Sequence, residues 1–421
     1  MIRYVFFYPS EVIGGAELLF LRLAQYLVQK SYSILIVDQE KPSYISRNLD
    51  RNIKNIDFFN AGNHSKCYLN ENDTLIIAMS YIDIFREAII PNDKTKIIIW
   101  DLHPYNLIEQ LSFSKMYKYS QLVSKPLKYL EYSSIRKIRN LIEVGTNSSA
   151  LFFMCSYNYE FNNIFFKPKI SPIYLPIFIP EIRIQNSIDK LAKVCNEIIN
   201  IAWISRLDSD KIDVLYLLID DVINFNKKSN LRVKLHIIGD GNMLVSLKKS
   251  THTDMICFTG RLIDNELTDY LKSINIGFAM GTSVLEFAAR KIPSVVVPTT
   301  TEVDVFSKVT KRYCWLYDTI GYDVATSKKY IEQNITKSFE TIIIEFIKDT
   351  FGDIQDKCFK YQINSHSISS VANRLIDLSI KSDLTYKKLK TTKIYQHSYY
   401  QAFLRGLKRD VKKLLTLCKK R

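Results

Sequence analysis

The sequence NIGFAMGTSVLEFAARKIPSVVVP, residues 275–298, predicts a strand, a turn, a helix and a second strand in close succession. Residues 276–280 form a short apolar run, as a buried parallel strand requires. Residues 284–291 continue as a short helix, which Pro293 ends, and residues 294–297 form the next strand. A strand, a helix and a strand this close together predict a parallel α/β sheet.

The turn between this strand and helix has residues suited to an anionic ligand. Gly281 interrupts the strand, and Thr282 and Ser283 are residues that favour helix N-caps. A Gly-Thr-Ser turn that opens a helix presents backbone N–H groups to an anion. Glu286, one turn further on, can accept hydrogen bonds from hydroxyls. Phosphate donors beside a hydroxyl acceptor suit a nucleotide-sugar, and the alternative is an ordinary βαβ unit with a surface glutamate.

The stretch resembles the donor-site signature of GT-B glycosyltransferases, especially their family 4. In that signature a strand of the second domain leads into a helix whose Glu holds the donor ribose, and Glu286 matches it. The family usually has a second, earlier Glu, and that position is Phe278 here. Its longer Pro-Ser…Glu-Gly-Phe-Gly loop is replaced by residues 279–283. The resemblance implies transfer with retention of anomeric configuration.

A basic loop follows the predicted strand at residues 201–204. Arg206 and Lys211 are similar to the family's Gly-Arg-Leu…Lys motif, whose two cations hold the donor diphosphate. Two fixed positive charges offset the diphosphate charge and stabilise the leaving nucleotide. The alternative is simply a basic loop in a basic protein. Residues 208–210 also spell Asp-x-Asp, a metal–nucleotide motif of the other large glycosyltransferase fold, but the cations make a metal unnecessary and we expect none.

Two further glycine turns follow predicted strands in the same half of the chain. They resemble the family's Gly-x-Gly turn, at 239–241, and the strand end that cups the nucleotide base, at 259–262. The four motifs occur in the family's order over residues 199–298. The resemblance, with the opening turn described next, implies these donor-binding residues: Gly15, Gly239, Gly260, Arg261, Gly281, Thr282, Ser283 and Glu286.

The first half of the chain opens with an apolar strand at 4–8, a glycine turn and an amphipathic helix at 16–30. Its Gly-Gly-Ala-Glu sequence, residues 14–17, resembles the family turn that faces the donor phosphates, with Gly15 allowing close approach. The alternative is a tight turn that needs small residues. A later strand, 96–100, leads to Asp101 and His103, and a His after this strand lies near the transferred sugar in the family. Both are polar candidates, because the carboxyl end of a parallel strand faces the ligand crevice.

Composition and length are those of a globular protein of two or three domains. The 421 residues are 47% hydrophobic and 24% charged. We expect neither a membrane span nor a signal peptide, since no apolar run is long enough and polar residues arrive by Ser10. The seven Cys are scattered, which favours reduced thiols in a cytoplasmic protein and argues against a zinc site.

The net charge of +15 is concentrated near the end of the sequence. Residues 381–421 contain thirteen Lys or Arg against two Asp, a balance of +11. This segment has an apolar helical face, so we expect it to dock on an anionic membrane. The basic candidates are Arg405, Lys408, Arg409, Lys412 and Lys413. The aromatic and basic stretch 104–140 is either a pair of surface helices or a second interfacial segment. Nucleic acid is not expected, because no RNA-binding signature is present.

These patterns together predict an α/β protein of the GT-B type, with two doubly wound Rossmann-like domains facing a cleft. The predicted domains are 1–180 for the acceptor, 181–380 for the donor and 381–421 as a basic amphipathic tail. The expected function is transfer of a sugar from a UDP- or GDP-linked donor, without another cofactor. The acceptor would be a saccharide or lipid-linked saccharide in surface glycan assembly at the inner face of the cell membrane. A catalytically inactive GT-B scaffold and a nucleotide-sugar 2-epimerase remain alternatives.

Overall fold

A computed structural model describes residues 2–9, 15–39, 45, 47, 56–61, 65–114, 128–182, 198–209, 211–251 and 253–395. The chain is divided into two compact units. The first comprises Met1–Pro176 together with Ala372–Arg421, and the second is Ile177–Val371. The sequence predicts these divisions after residues 180 and 380, whereas the two units here divide after Pro176 and after Val371. The described residues after 380 group with the first unit instead of standing apart as a tail.

The first unit is built on a six-stranded parallel sheet. Its strands are β1 (Arg3–Phe7), β2 (Ser33–Asp38), β3 (Ile56–Asn60), β5 (Asp73–Ala78), β7 (Lys96–Asp101) and β8 (Leu151–Phe153), in the order β3-β2-β1-β5-β7-β8. A separate parallel pair joins β4 (Cys67–Tyr68) to β6 (Ile89–Ile90). Residues 97–99 are three consecutive isoleucines, all with no exposed area. Such unbroken apolar runs form strands that are covered on both faces.

Helices of the first unit come from both ends of the chain. They are α1 (Gly15–Gln29), α2 (Phe85–Ala88), α3 (Tyr132–Asn147), α4 (Ser156–Phe166), and, after the second unit, the end of α13 (Ile368–Lys381) and α14 (Tyr386–Thr391). The returning segment is bonded to the sheet: the Tyr4 hydroxyl lies 2.7 Å from the Ser379 hydroxyl. The N–H of Ile97 donates to the Leu384 carbonyl at 2.9 Å. The last described helices therefore pack on the sheet that the first strands of the chain form.

A seven-stranded sheet forms the centre of the second unit. Its strands are β9 (Ile198–Ile204), β10 (Arg232–Ile238), β11 (Ile256–Gly260), β12 (Ile276–Ala279), β13 (Ser294–Val296), β14 (Lys311–Trp315) and β15 (Lys337–Ser338). Their order is β11-β10-β9-β12-β13-β14-β15, with the first five strands parallel and β14 antiparallel to both of its neighbours. Its helices are α5 (Ile212–Lys228), α6 (Leu244–Ser250), α7 (Asp264–Leu271), α8 (Thr282–Ala289), α9 (Val303–Phe306), α10 (Lys328–Glu332), α11 (Phe339–Lys348) and α12 (Asp353–His366), followed by the start of α13.

Residues 275–298 fold as strand, turn, helix and strand, as predicted. Gly277 explains how closely α8 packs on β12, because a Cβ there would lie 2.2 Å from the Phe287 ring. The predicted N-caps are wrong. Gly281 is the N-cap residue, and neither Thr282 nor Ser283 caps the helix with its side chain. With φ 65° and ψ −141°, Gly281 adopts a backbone conformation that L side chains rarely allow, so the turn needs glycine at this position.

The apolar and charged pattern of the sequence also predicts helices at 328–348 and 366–380, and the first of these predictions is wrong because that helix is interrupted. Residues 328–348 form α10 and α11 with β15 between them, and Asn334 has a positive φ of 55° at the break. The predicted helix at 366–380 is present as α13, which begins two residues later, at Ile368, after a break from the end of α12. The break places Ser367 in extended backbone, with φ −77° and ψ 151°.

The two segments by which the chain enters and leaves the second unit are paired to each other. The N–H of Ile179 donates to the His366 carbonyl at 3.1 Å, and the N–H of Ile368 donates to the Ile179 carbonyl at 3.2 Å. The buried His366 ring places Nδ1 2.7 Å from the Ile177 carbonyl oxygen. The extended, proline-containing sequence 170–180 thus includes the point at which the chain enters the second unit.

The predicted membrane-binding side chains, Arg405, Lys408, Arg409, Lys412 and Lys413, lie outside the described residues. Over the described ranges, the structure has no helix long and apolar enough to cross a lipid bilayer.

Candidate functional site

The strand order of the second unit defines where a ligand would bind. The chain proceeds from β9 outward to β10 and β11 on one side, and then to β12 and β13 on the other. Loops leaving the carboxyl ends of β9 and β12 therefore diverge, and such a switch point opens a crevice in doubly wound sheets. The loop at 205–211 and the turn at 280–283 flank this point. Arg206, Lys211 and the Gly-Thr-Ser turn, all predicted from sequence, lie in these segments.

Backbone hydrogen bonds tie the loop after β9 to the turn after β10. The N–H of Leu207 donates to the Asp240 carbonyl at 2.9 Å, and the Leu207 carbonyl accepts from the N–H of Met243 at 2.9 Å. The N–H of Ser205 donates to the Ile238 carbonyl at 3.2 Å. Leu207 itself is buried at 1% exposure, so the loop is anchored on both sides of Arg206.

The Gly-x-Gly turn is required by this close approach of two loops. A Cβ on Gly239 would lie 1.8 Å from the Ser205 carbonyl oxygen, and one on Gly241 would lie 2.5 Å from the Leu207 carbonyl oxygen. The N–H of Gly239 also donates to the Gly260 carbonyl at 2.9 Å, which joins the loop after β11 to the same set. In the described structure these glycines allow three loops to be in contact at the carboxyl ends of β9, β10 and β11.

Arg206 projects from this anchored loop. Its side chain is 72% exposed, and its guanidinium lies 3.4 Å from the half-buried Asp208 carboxylate. An exposed pair of this kind contributes less than about 1 kcal/mol, so an anionic ligand can displace it. Lys211 immediately precedes α5, as that helix's N-cap residue. Within the described ranges, no group of three or more acidic, His or Cys side chains could hold a metal ion.

The turn after β12 provides fewer anion-binding amides than the sequence predicts. The N–H of Gly281 donates to the Val324 carbonyl at 2.9 Å, and is therefore occupied within the protein. Helix geometry leaves the first-turn N–H groups of Thr282 and Ser283 without intrahelical acceptors. These two amides are the remaining candidates for a phosphate. Val324 belongs to a loop that no sequence motif indicated.

Glu286 has a partner that the sequence analysis missed. Its Oε2 accepts a hydrogen bond from Nη1 of Arg290, one turn later, and the same Nη1 donates to the Glu286 carbonyl oxygen at 3.0 Å. The side-chain exposures are 27% for Glu286 and 10% for Arg290. The i,i+4 spacing of the two residues was the available signal.

The remaining donor-side candidates are exposed. Gly260 has φ 79° with no atom within 4 Å of a Cβ position, so its backbone conformation alone favours glycine. Arg261 follows it and is exposed. In the first unit, Gly15 begins α1 and also has open space around a Cβ position. Gly15 lies at that sheet's own switch point, between β1 and β5.

His103 and Asp101 differ sharply in accessibility. His103 is exposed, and its Nδ1 accepts a hydrogen bond from the N–H of Tyr105 at 3.3 Å. Asp101 has no exposed area, and burial raises the pKa of its carboxyl well above the ordinary value. Its Oδ2 accepts from Asn162 at 3.3 Å. The expectation that Asp101 faces a ligand is wrong, because its side chain is enclosed by protein.

Comparisons with known proteins bear on the fold. No protein-family model matches the chain, and no curated protein sequence matches it significantly. A glycosyltransferase from Rickettsia africae superposes with a TM-score of 0.53 at 12% identity, covering 94% of this chain and 99% of that one. HepE of Anabaena, solved with UDP and glucose, has a TM-score of 0.52 at 11% identity, with 90% and 99% covered. The GtfA/B complex gives the same TM-score, identity and coverage. The chain therefore has the GT-B fold of glycosyltransferases, as predicted.

Proposed function

We propose that the protein is a glycosyltransferase that moves a sugar from a nucleotide-sugar to an acceptor hydroxyl. The observation that carries this proposal is the switch point of the second unit. Arg206 follows one central strand, and the first-turn amides of Thr282 and Ser283, with Glu286 behind them, follow its neighbour. Cations and amides suit a diphosphate, and a carboxylate suits ribose hydroxyls. HepE, which has the same fold, was solved with UDP and glucose, and this supports such a donor.

Each of these residues has a role in the proposed reaction. Arg206 and Lys211 stabilise the diphosphate as negative charge grows on the leaving group. Glu286 accepts hydrogen bonds from the ribose. Gly15 is proposed to allow close approach to the donor phosphates, and His103 to lie near the transferred sugar. We infer retention of configuration from the resemblance to family 4, and we expect no metal because the cations neutralise the diphosphate.

The proposed acceptor is a saccharide or lipid-linked saccharide, used in surface glycan assembly at an anionic membrane. The +11 charge of residues 381–421 supports membrane attraction. Exposed aromatic side chains in the first unit support it too: Tyr129 and Tyr132 are 85% and 61% exposed. Nearby, the Lys128 ammonium lies 4.3 Å from the centre of the Phe165 ring. Aromatic and basic side chains are the residues that favour a lipid–water interface.

A second candidate, a non-catalytic GT-B scaffold, is favoured by Phe278. This residue occupies the position of the family's earlier Glu, and it has no exposed area. Its ring packs 5.4 Å from the Tyr313 ring in the core. The side chain at this position is thus enclosed in the core of the second unit, which supports a site that lacks the family's first carboxylate.

The decisive experiment incubates the purified chain with UDP- and GDP-sugars and measures nucleotide release, with and without saccharide acceptors. Release that depends on acceptor and survives a chelator would support metal-independent transfer. Activity lost in chelator and restored by manganese would contradict the role given to Arg206 and Lys211. Nucleotide release with an epimerised sugar would favour the 2-epimerase alternative, and binding without turnover would favour the scaffold.

A further inference from the structure

The ion pair between Glu286 and Arg290 has an unusual environment for a pair on one helix. Arg290 is 8% exposed as a residue, and it ends α8 as the C-cap. Among the described residues, the guanidinium of Arg290 donates to two acceptors, and both belong to Glu286: its carbonyl oxygen and Oε2 of its side chain. Its Nε is buried without a hydrogen-bond partner in the described part of the chain. The guanidinium is thus held mainly by one carboxylate.

Stability alone does not account for an arginine at this position. Removing a charged group from water is unfavourable, and replacing a buried ion pair with apolar side chains is often neutral or stabilising. The surrounding positions of α8 are apolar and buried, among them Phe287, Ala288 and Ala289. An apolar side chain in place of Arg290 would suit that setting.

We propose that Arg290 is a positioning residue that holds Oε2 of Glu286 and thereby turns Oε1 towards a ligand hydroxyl. This inference rests on the proposed function, in which that hydroxyl belongs to the ribose of a nucleoside diphosphate. A free Glu side chain samples several rotamers, and each rotamer fixed in advance removes an entropic cost from binding. Arg290 therefore sets the preference for ribose over 2′-deoxyribose without contacting the nucleotide.

The test compares binding of UDP and 2′-deoxy-UDP, and of GDP and 2′-deoxy-GDP, by titration calorimetry. Loss of one charge-assisted hydrogen bond predicts about a tenfold ribose preference in the wild type. Arg290→Met should reduce this preference to about twofold, as Glu286→Gln should, and Arg290→Lys should recover part of it. The double variant should lose no more of the ribose preference than Glu286→Gln alone, because the two substitutions remove the same interaction.

A matched control breaks a different i,i+4 ion pair. Lys328 lies 3.2 Å from Glu332 on α10, with both side chains about 60% exposed. Lys328→Met should leave the ribose preference unchanged, and melting temperatures of all variants report whether each is folded. If a folded Arg290→Met variant keeps the wild-type preference, the inference is overturned while the proposed function stands. A wild type that binds no nucleoside diphosphate would overturn both.

Discussion

The carbonyl oxygen of Ser205 lies 1.8 Å from the point at which Gly239 would carry a Cβ. The loop that presents Arg206 and the turn after β10 are therefore in direct backbone contact, and position 239 of that turn has no room for a side chain. The Gly-x-Gly sequence resembles a ligand-binding motif. Here its glycines are required by the packing of the two loops, whether or not a ligand is bound. Its glycines determine where Arg206 is held.

Gly239→Ala should destabilise the protein strongly, because the carbonyl oxygen it meets is backbone and cannot rotate away. We expect a loss of more than about 3 kcal/mol. Gly260→Ala is the matched control: its φ is 79°, but no atom lies within 4 Å of a Cβ. It should lose only about 1–2 kcal/mol from backbone strain. Urea unfolding of both variants measures which one loses more stability. Equal losses of stability would show that the two loops move apart easily.

Glu286→Gln and Arg206→Ala should impair transfer in different ways. Glu286 is proposed to contact the ribose in ground and transition states alike, so its variant should mainly raise KM for the donor. Arg206 faces charge that grows as the sugar leaves, so its variant should lower kcat by about 10²–10³. Steady-state kinetics, with circular dichroism as the folding control, measures both. Wild-type kinetics in both variants would mean that these loops are only packing elements.

Asp101→Asn should keep activity and increase stability at neutral and alkaline pH. Burial raises the folded-state pKa of Asp101, so folding takes up a proton at pH values between the unfolded and the folded pKa. The wild type therefore loses stability as pH rises above the unfolded pKa of about 4, and Asn removes this loss. We expect a gain of about 1–3 kcal/mol near pH 8, vanishing in acid. A variant that is folded but inactive would restore Asp101 as a catalytic candidate.

His366→Asn should flatten the decline of stability in mild acid. Burial lowers the folded-state pKa of His366 to about 4, from an ordinary 6.5. Between these values the unfolded chain binds a proton that the folded chain does not, so stability falls as pH decreases through this window. The contribution is about 1.4 kcal/mol per pH unit. Asn keeps a donor for the Ile177 carbonyl. Unfolding midpoints at several pH values should show a shallower slope than in the wild type.

Deletion of residues 386–421 should abolish sedimentation with anionic liposomes at low salt. Each basic residue near such a surface contributes roughly 1 kcal/mol, and this attraction is screened by salt. Because α14 of the first unit lies in that range, deletion of 396–421 alone is the cleaner variant. In the full-length chain, Tyr129→Ser with Tyr132→Ser should weaken liposome binding, while Phe351→Ser, at a residue 92% exposed in the second unit, should not. Equal sedimentation with and without 396–421 would contradict the membrane proposal.

The order of strands and helices in residues 199–298 could be predicted because short apolar runs alternate with turn residues there. Details that depend on tertiary contacts could not. Thr282 and Ser283 have good N-cap propensity, yet the conformation of Gly281 and its bond to Val324 determine how α8 begins. The break between α10 and α11 depends on pairing of β14 with β15, which no local pattern predicts.

The candidate site shows the same division. Arg206 and Glu286 could be identified as candidates because each matches a family motif and follows a predicted strand by a few residues. Arg290 could have been found from its i,i+4 spacing, but its burial at the end of α8 depends on tertiary packing, which the spacing does not report. Asp101 could not be dismissed from sequence, since a carboxylate after a parallel strand is either exposed in a crevice or enclosed, and only the packing of Asn162 decides which.

The contact between Tyr4 and Ser379, 375 positions apart, affects how the protein is made. A ribosome releases the first strands long before the helix that covers them, so the first unit waits with an unfinished surface while the second is synthesised. The second unit, Ile177–Val371, is continuous and needs no later segment. It can fold as soon as it emerges, although it begins second. The nascent chain is thus expected to complete its middle before its beginning, and to depend on chaperones during that interval.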